Sequence, residues 1–182
     1  MKVVAMVGSL RKGSYNKLVL RAAIELKPAG MEIESADIGM LPLYNDDVRE
    51  EGYPPAVQAF REQVRTADAI LFVTPEYNYS VPGVLKNAID WASRPPAPPL
   101  DSKPAAIMGA SPGRLGTARA QYHLRQIGVF LDLHFINRPE VMIAGAAKVF
   151  DGTGRLTDEG ARKLIAEILV NLQDWTLKLK AK

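Results

Sequence analysis

Serine, glycine and basic residues are concentrated in a segment near the amino end, directly after a short apolar run. This segment, the first loop, comprises residues 8–16 and reads GSLRKGSYN. Ser9 and Ser14 supply hydroxyl groups, Arg11 supplies a planar set of N–H donors, and Ser14 is suited to cap a following helix. A phosphate monoester bound at a helix start needs free backbone N–H groups, small hydroxyls and a cation. The segment therefore predicts a phosphate site, although an ordinary strand-to-helix turn with a serine cap has a similar sequence.

The first loop matches neither of the two commonest phosphate motifs. It lacks the Gly-Lys-Ser/Thr of P-loop proteins and the G-x-G-x-x-G of Rossmann dinucleotide sites, so neither NTP hydrolysis nor a Rossmann site is supported. Asn16 closes the loop, and its amide can hydrogen-bond either within the loop or to a ligand.

A second polar segment, the second loop, comprises residues 75–80 and reads PEYNYS. A flat heteroaromatic ring needs a surface to lie against and hydrogen-bond donors at its edge. Tyr77 can supply the surface, while Asn78 and backbone N–H groups can supply the donors. N–H groups directed at the N1/O2 side of a flavin would stabilise the anionic reduced ring. The alternative is a proline-bounded turn with surface tyrosines.

The composition excludes several other kinds of chemistry. The chain has no cysteine, which excludes disulfides, thiolate catalysis and iron–sulfur clusters. Its histidines, His123 and His134, lack the acidic neighbours of a typical metal site, so no metal is expected. The net charge of +3 comes without a dense basic stripe, so nucleic acid is not an expected partner. Redox chemistry would therefore require a bound cofactor, and we expect no catalytic nucleophile or acid–base pair.

Apolar periodicity and turn residues predict the elements that would carry these loops. The predicted strands are 2–7, 31–36, 69–74, 104–110 and 131–136, the last with or without 141–143. The predicted helices run from the Ser14 cap towards Pro28, over 55–66, over 82–92, from 116 past 124, and after a Thr157 cap. Residues 39–55 are predicted to form a long polar connection.

Strands that alternate with helices predict an α/β fold with a parallel sheet and helices on both faces. Five strands favour the order 2-1-3-4-5, in which ligands bind beyond the carboxyl ends of the strands. That edge carries the first loop, the second loop and a third loop, residues 111–116. The length fits a single domain over residues 1–182. With no apolar run that could span a bilayer and no signal-peptide pattern, we expect a cytoplasmic protein without a membrane partner.

The first and second loops together resemble the NADPH-dependent FMN reductase family, in particular its bacterial quinone and chromate reductases. The resemblance covers residues 1 to about 143, including Ser111, and Thr117 departs from it because a second glycine is expected there. The motifs that carry it are Gly8-Ser9-Leu10-Arg11-x-x-Ser14-x-Asn16, Pro75-Glu76-Tyr77-Asn78 and Val81-Pro82-Gly83-Val84-Leu85-Lys86-Asn87-Ala88-Ile89-Asp90-Trp91.

The resemblance implies a flavodoxin-like three-layer sandwich that binds FMN non-covalently. The residues that it places around the phosphate are Ser9, Arg11, Ser14, Tyr15 and Asn16. The residues that it places along the isoalloxazine are Pro75, Glu76, Tyr77 and Asn78, with Ser111 on the far side. It also implies a homodimer or homotetramer. The expected reaction is ping-pong hydride transfer through flavin N5 from NADPH or NADH to quinones or related oxidants such as free flavin, ferric chelates or chromate.

Two other functions involve the same cofactor. A flavodoxin-type electron carrier binds FMN without turning over a small substrate, but such carriers are usually strongly acidic so that they can dock on basic partners. This chain is net positive, and its first loop lacks the threonine-rich pattern of flavodoxins. The remaining alternative is a flavin-binding regulatory or scaffold module without turnover.

Overall fold

The core of the molecule is a parallel β-sheet whose strands alternate with helices along the chain. The structure is a computed structural model that describes residues 1–181. The strands are β1 (Lys2–Val7), β2 (Glu32–Ser35), β3 (Ala69–Val73), β4 (Pro104–Ala110), β5 (His134–Phe135) and β6 (Val141–Ile143). The helices are α1 (Tyr15–Leu26), α2 (Asp46–Glu51), α3 (Pro55–Thr66), α4 (Gly83–Ala92), α5 (Ala118–Phe130) and α6 (Glu159–Lys180).

The strand order is β2-β1-β3-β4-β5, which confirms the predicted flavodoxin-like topology. In register, Val7 of β1 lies beside Val73 of β3, and Val73 lies beside Met108 of β4. The carboxyl ends of these strands therefore lie at one edge of the sheet. The first, second and third loops leave from that edge.

Both faces of the sheet are covered because the central strands are apolar on both sides. Val3, Ala5 and Val7 of β1 face α1 and α6, whose buried residues include Val19 and Ile165. The alternate residues Val4 and Met6 face the opposite layer, in which α3, α4 and α5 contribute Phe60, Leu85 and Leu124. The three layers hold the strand ends, and the loops that follow them, in fixed positions.

The fifth position of the sheet is occupied by two short strands instead of one continuous strand. β5 pairs with Pro104 and Ala105 at the start of β4, while β6 pairs with residues 108–110 at its end. The register shifts by three residues between the two strands, because Ala105 lies beside Phe135 whereas Met108 lies beside Val141. The intervening segment, which includes Pro139, leaves the ladder and interrupts the strand. Residues 141–143 thus add to the fifth position, as one of the two alternatives predicted. The predicted strand over 131–136 is shorter than expected, His134–Phe135, because α5 extends to Phe130 and Leu131 caps it.

Two local predictions were wrong. Residues 39–55 contain the short helix α2, which is stabilised by local capping: Asn45 accepts a hydrogen bond from the N–H of Asp47. Because this helix has no buried residue, apolar periodicity could not reveal it. The cap of α6 is Asp158, which accepts from the N–H of Ala161 at 2.7 Å, whereas Thr157 donates its hydroxyl to Val149 O.

No helix within residues 1–181 combines the length and the apolar character that crossing a bilayer requires.

Candidate functional site

The three loops meet around one cavity at the carboxyl edge of the sheet, with a volume of about 280 Å³. Its lining residues are Ser9, Arg11, Ser14, Tyr15, Asn16, Pro75, Glu76, Tyr77, Ala110, Ser111 and Pro112. Every candidate residue named from the sequence lines it except Asn78, which lies exposed at the tip of the second loop. Ala110 and Pro112 also line the cavity but were not among the predicted site residues. Their position next to Ser111 in the sequence is the signal that could have identified them.

The first loop presents an unusual number of free backbone donors. Within residues 1–181, none of the backbone N–H groups of residues 9–15 donates a hydrogen bond to another protein atom. Ser14 caps α1 by accepting from the N–H of Asn16 at 3.2 Å. The loop therefore wraps the positive end of a helix, where free N–H groups and the helix dipole favour an anion.

The cation of the first loop is available for a ligand. Arg11 is exposed, and none of the ion pairs formed within residues 1–181 includes it. A Cβ added to Gly13 would lie 3.9 Å from Arg11 Nη2, so the guanidinium lies over the loop itself. Ser9 and Ser14 are only 4% and 5% exposed and line the same cavity. Hydroxyls, cation and N–H groups thus converge as a phosphate site requires.

The second loop closes in a tight turn between Tyr77 and Ser80, whose backbones exchange hydrogen bonds of 3.1 and 3.0 Å. Asn78 and Tyr79 both have positive φ, 48° and 68°, as a type I′ turn demands. A positive φ is rare for a residue as bulky as tyrosine. The turn points Tyr77 back towards the first loop, where its hydroxyl donates to Ser9 Oγ at 3.2 Å.

Glu76 fastens the second loop to the start of α5. Its carboxylate accepts hydrogen bonds from the N–H groups of Arg119 and Ala120 at 3.0 and 3.2 Å, and from Arg119 Nε at 2.5 Å. The hydrogen bond that the Arg119 guanidinium donates to the Glu76 carboxylate raises the pKa of Arg119 above its ordinary value. The Arg119 guanidinium in turn lies 3.5 Å from the centre of the Tyr79 ring. These contacts hold the turn in its strained conformation.

The third loop follows a close approach of β4 to its neighbours. A Cβ on Gly109 would come within 2.2 Å of Thr74 O and 2.3 Å of Thr117 Oγ1. Thr117, the departure from the family pattern, is fully buried in that space and accepts a hydrogen bond from Gln121. Gly116 adopts φ +59°, and a side chain there would strike the backbone of Met142. Ser111 is held by hydrogen bonds between its N–H and Ile143 O and between its carbonyl and Ala146 N.

The first two residues of α1, Tyr15 and Asn16, also line the cavity. Tyr15 stacks on Phe150, with ring centres 5.9 Å apart. Asn16 is 2% exposed and directs its side chain at the backbone of Ala110: Nδ2 donates to Ala110 O, and Ala110 N donates to Oδ1, both at 2.9 Å. The side-chain amide of Asn16 thus bonds the end of β4 and makes no hydrogen bond with the first loop within residues 1–181.

The donor set suits an FMN molecule. The lining of the cavity includes an arginine and two serine hydroxyls that suit a phosphate, beside free N–H groups of the first loop, and an aromatic side chain of the second loop that suits a ring. At the tip of the second loop, the N–H groups of Asn78 and Tyr79 also donate no hydrogen bond within residues 1–181.

Comparison with known proteins agrees with this arrangement. Residues 1–148 match the family model for NADPH-dependent FMN reductase. An NAD(P)H-dependent FMN reductase of Pseudomonas aeruginosa is 63% identical over 179 residues, covering 98% of this chain and 97% of the relative. An NAD(P)H:quinone oxidoreductase of Solanum tuberosum is 52% identical over 187 residues, covering 100% of this chain and 95% of the relative.

The fold also has a solved counterpart with substantial sequence similarity. The flavoenzyme NAD(P)H:acceptor oxidoreductase FerB of Paracoccus denitrificans superposes with a TM-score of 0.89 at 38% identity, covering 97% of each chain. The match of the family model over most of the chain and the similarity over nearly full length lead to one assignment: the chain is an oxidoreductase that belongs to the NADPH-dependent FMN reductase family.

Proposed function

We propose that this chain binds one FMN in the cavity between its three loops and passes electrons from NADPH or NADH to a quinone. One observation carries the proposal most strongly: the unpaired N–H groups of residues 9–15, Arg11 and an aromatic side chain all line or border a single cavity at the carboxyl edge of the sheet. The names of the relatives, FMN reductase and quinone oxidoreductase, support the same activity.

We assign the phosphate of the cofactor to the first loop. Arg11 supplies a charge-assisted contact, Ser9 and Ser14 supply hydroxyls, and the start of α1 supplies N–H groups. Tyr15 and Asn16 complete the wall on this side. Because α1 is capped and packed against the sheet, these donors are already in position before the anion arrives.

We assign the isoalloxazine to the second loop. Pro75, Glu76, Tyr77 and Asn78 border the ring, and Ser111 bounds it from the third loop. Free N–H groups at the tip of the turn can stabilise negative charge at the ring edge. The anchoring of Glu76 to α5 keeps that tip in place.

When bound, FMN supplies the redox chemistry: it accepts a hydride at N5 and later releases two electrons. The chain's residues hold the ring and leave one side of it open, so donor and oxidant use the same space in turn. We therefore propose ping-pong kinetics, with free flavin, ferric chelates and chromate as further oxidants. Initial rates at varied NADPH and quinone should give parallel double-reciprocal lines, and intersecting lines would contradict the shared space.

The proposed activity can be tested with the purified protein, reconstituted with FMN and made anaerobic. Addition of NADPH should bleach the yellow flavin, and a quinone should restore the colour. A yellow protein that NADPH does not bleach would instead indicate an electron carrier or a regulatory module. A protein that remains colourless after incubation with FMN would contradict cofactor binding altogether.

We further propose that the chain is a single domain that assembles as a homodimer or homotetramer in the cytoplasm, where NAD(P)H is available. Large apolar side chains on α5 support an interface with a second copy, since Tyr122, Val129 and Phe130 are 50%, 79% and 78% exposed. Sedimentation velocity should give a mass of two or four chains, and a monomer at micromolar concentration would contradict assembly.

A further inference from the structure

Asn16 joins two loops that lie far apart in the chain. Its amide forms two hydrogen bonds with the backbone of Ala110, the last residue of β4, and Ser111 follows directly. Its own N–H donates to Ser14 Oγ, the cap of α1. A single buried side chain therefore connects the helix start of the first loop to the beginning of the third loop.

The position of this contact in the sheet explains why it is needed. β3 and β4 pair from Ile70 and Ala105 to Val73 and Met108, and the last ladder contact is Thr74 N to Met108 O. Beyond that point the chain of β3 departs into the second loop, while β4 continues to Ala110. The amide of Asn16 supplies the hydrogen bonds that a neighbouring strand would otherwise provide.

We infer that Asn16 is a positioning residue, which sets the separation of the first and third loops and so acts on the cofactor through Ala110 and Ser111. Its side chain is 2% exposed, and both its donor and its acceptor group are engaged with backbone. The effect of Asn16 on cofactor affinity therefore passes through the ring side of the cavity as well as the phosphate side. This inference rests on the proposed binding of FMN.

Riboflavin separates positioning from direct contact, because it has the ring of FMN and no phosphate. Replacing a residue that bound the phosphate would lower the affinity for FMN alone. Replacing a residue that fixes the distance between the loops would lower the affinity for both molecules, since both place their ring between the second and third loops.

Asn87 provides a matched control. It is 8% exposed, and its amide also bonds backbone on both sides: Oδ1 accepts from Tyr44 N at 2.7 Å, and Nδ2 donates to Pro42 O at 2.9 Å. It does not line the cavity. Replacing Asn87 with alanine therefore removes two side-chain-to-backbone hydrogen bonds of the same kind, but in a different part of the fold.

The experiment measures dissociation constants of FMN and riboflavin for the wild-type protein, Asn16→Ala and Asn87→Ala. For Asn16→Ala we expect both flavins to bind about tenfold more weakly, because the loops would have to be ordered when the flavin binds, at a cost of about 1.4 kcal/mol. For Asn87→Ala we expect no change in either constant. Asn16→Ser serves as a milder replacement if the alanine variant does not fold, with the same parallel loss expected.

A coupling measurement completes the test. In a Ser111→Ala background, Asn16→Ala should raise the dissociation constant of riboflavin by less than about threefold. The reason is that the hydroxyl group that Asn16 positions is already missing. A loss confined to FMN, an unchanged affinity for both flavins, or an equal loss in Asn87→Ala would overturn the inference while leaving FMN binding intact. A wild-type protein that binds neither flavin would overturn the proposed function as well.

Discussion

The hydroxyl of Tyr77 donates a hydrogen bond to Ser9 Oγ at 3.2 Å, so the second loop touches the first across the cavity. The two residues are 68 positions apart in sequence, and the sheet brings them together because β1 and β3 are neighbours in register. The hydroxyl of Ser9 retains its own hydrogen, which it can donate to a phosphate while it accepts from Tyr77.

Replacing Tyr77 should separate its two contributions. Tyr77→Phe removes the bond that orients Ser9 and should weaken FMN binding by about 1 kcal/mol without changing riboflavin affinity. Tyr77→Ala also removes the aromatic surface and should weaken the binding of both FMN and riboflavin. Fluorescence titration of the two flavins checks this, and equal effects of the two variants on riboflavin would refute the assigned role of the ring.

Arg11→Ala should cause the largest single loss of FMN affinity. A charge-assisted hydrogen bond contributes about 1.5–3 kcal/mol, which corresponds to a dissociation constant raised about 10- to 150-fold. Riboflavin affinity should stay unchanged, since riboflavin lacks the phosphate. Arg114→Ala is the control, because Arg114 is an exposed arginine of the third loop that does not line the cavity. Full retention of FMN by Arg11→Ala would show that the phosphate binds elsewhere.

Glu76→Gln should destabilise the protein by about 1–3 kcal/mol, because an amide nitrogen would face donors that now bind a carboxylate. The Glu76 side chain is only 6% exposed, so solvent cannot replace the lost contacts. Urea unfolding measures the change. The exposed pair of Glu62 and Arg65 on α3 offers a comparison, and Glu62→Gln should change stability by less than about 0.5 kcal/mol. If both variants unfold alike, Glu76 does not anchor the second loop.

Acid should release a contact at the start of α2. Hydrogen bonds from Arg49 and from the Tyr44 hydroxyl lower the pKa of Asp46 to about 2. Because this pKa is depressed on folding, the stabilisation is complete above the unfolded pKa of about 3.9 and is lost as pH falls towards 2. An NMR titration of the Asp46 carboxyl carbon should have its midpoint near 2 in the wild type. In Arg49→Ala the midpoint should move upward, and an unchanged midpoint would contradict the assigned cause.

Local sequence patterns predicted the elements of the fold better than the contacts within the site. The apolar runs of β1, α3 and β4 gave bounds that agree with the structure, because each is a regular element packed on the core. The helix α2 was missed because it buries no residue and depends on its cap.

For the site, the location of the loops could be predicted from the sequence, but two of its internal contacts could not. The loops could be located because parallel strands end at one edge, and serine, glycine and arginine indicate an anion site. The partners of Asn16 and Glu76 could not be predicted, since Ala110 lies 94 residues from the one and Arg119 lies 43 residues from the other. Both contacts depend on which backbone groups the folded loops and strand ends leave within reach of these side chains, which local sequence does not encode.

A crystal structure of the chain soaked in excess FMN tests the central claim most directly. We predict the phosphate within about 2.7–3.2 Å of backbone nitrogens of residues 9–15 and beside Arg11, with the ring between Tyr77 and Ser111. A cavity that stays empty at saturating FMN, or a flavin bound away from the first and second loops, would contradict the account.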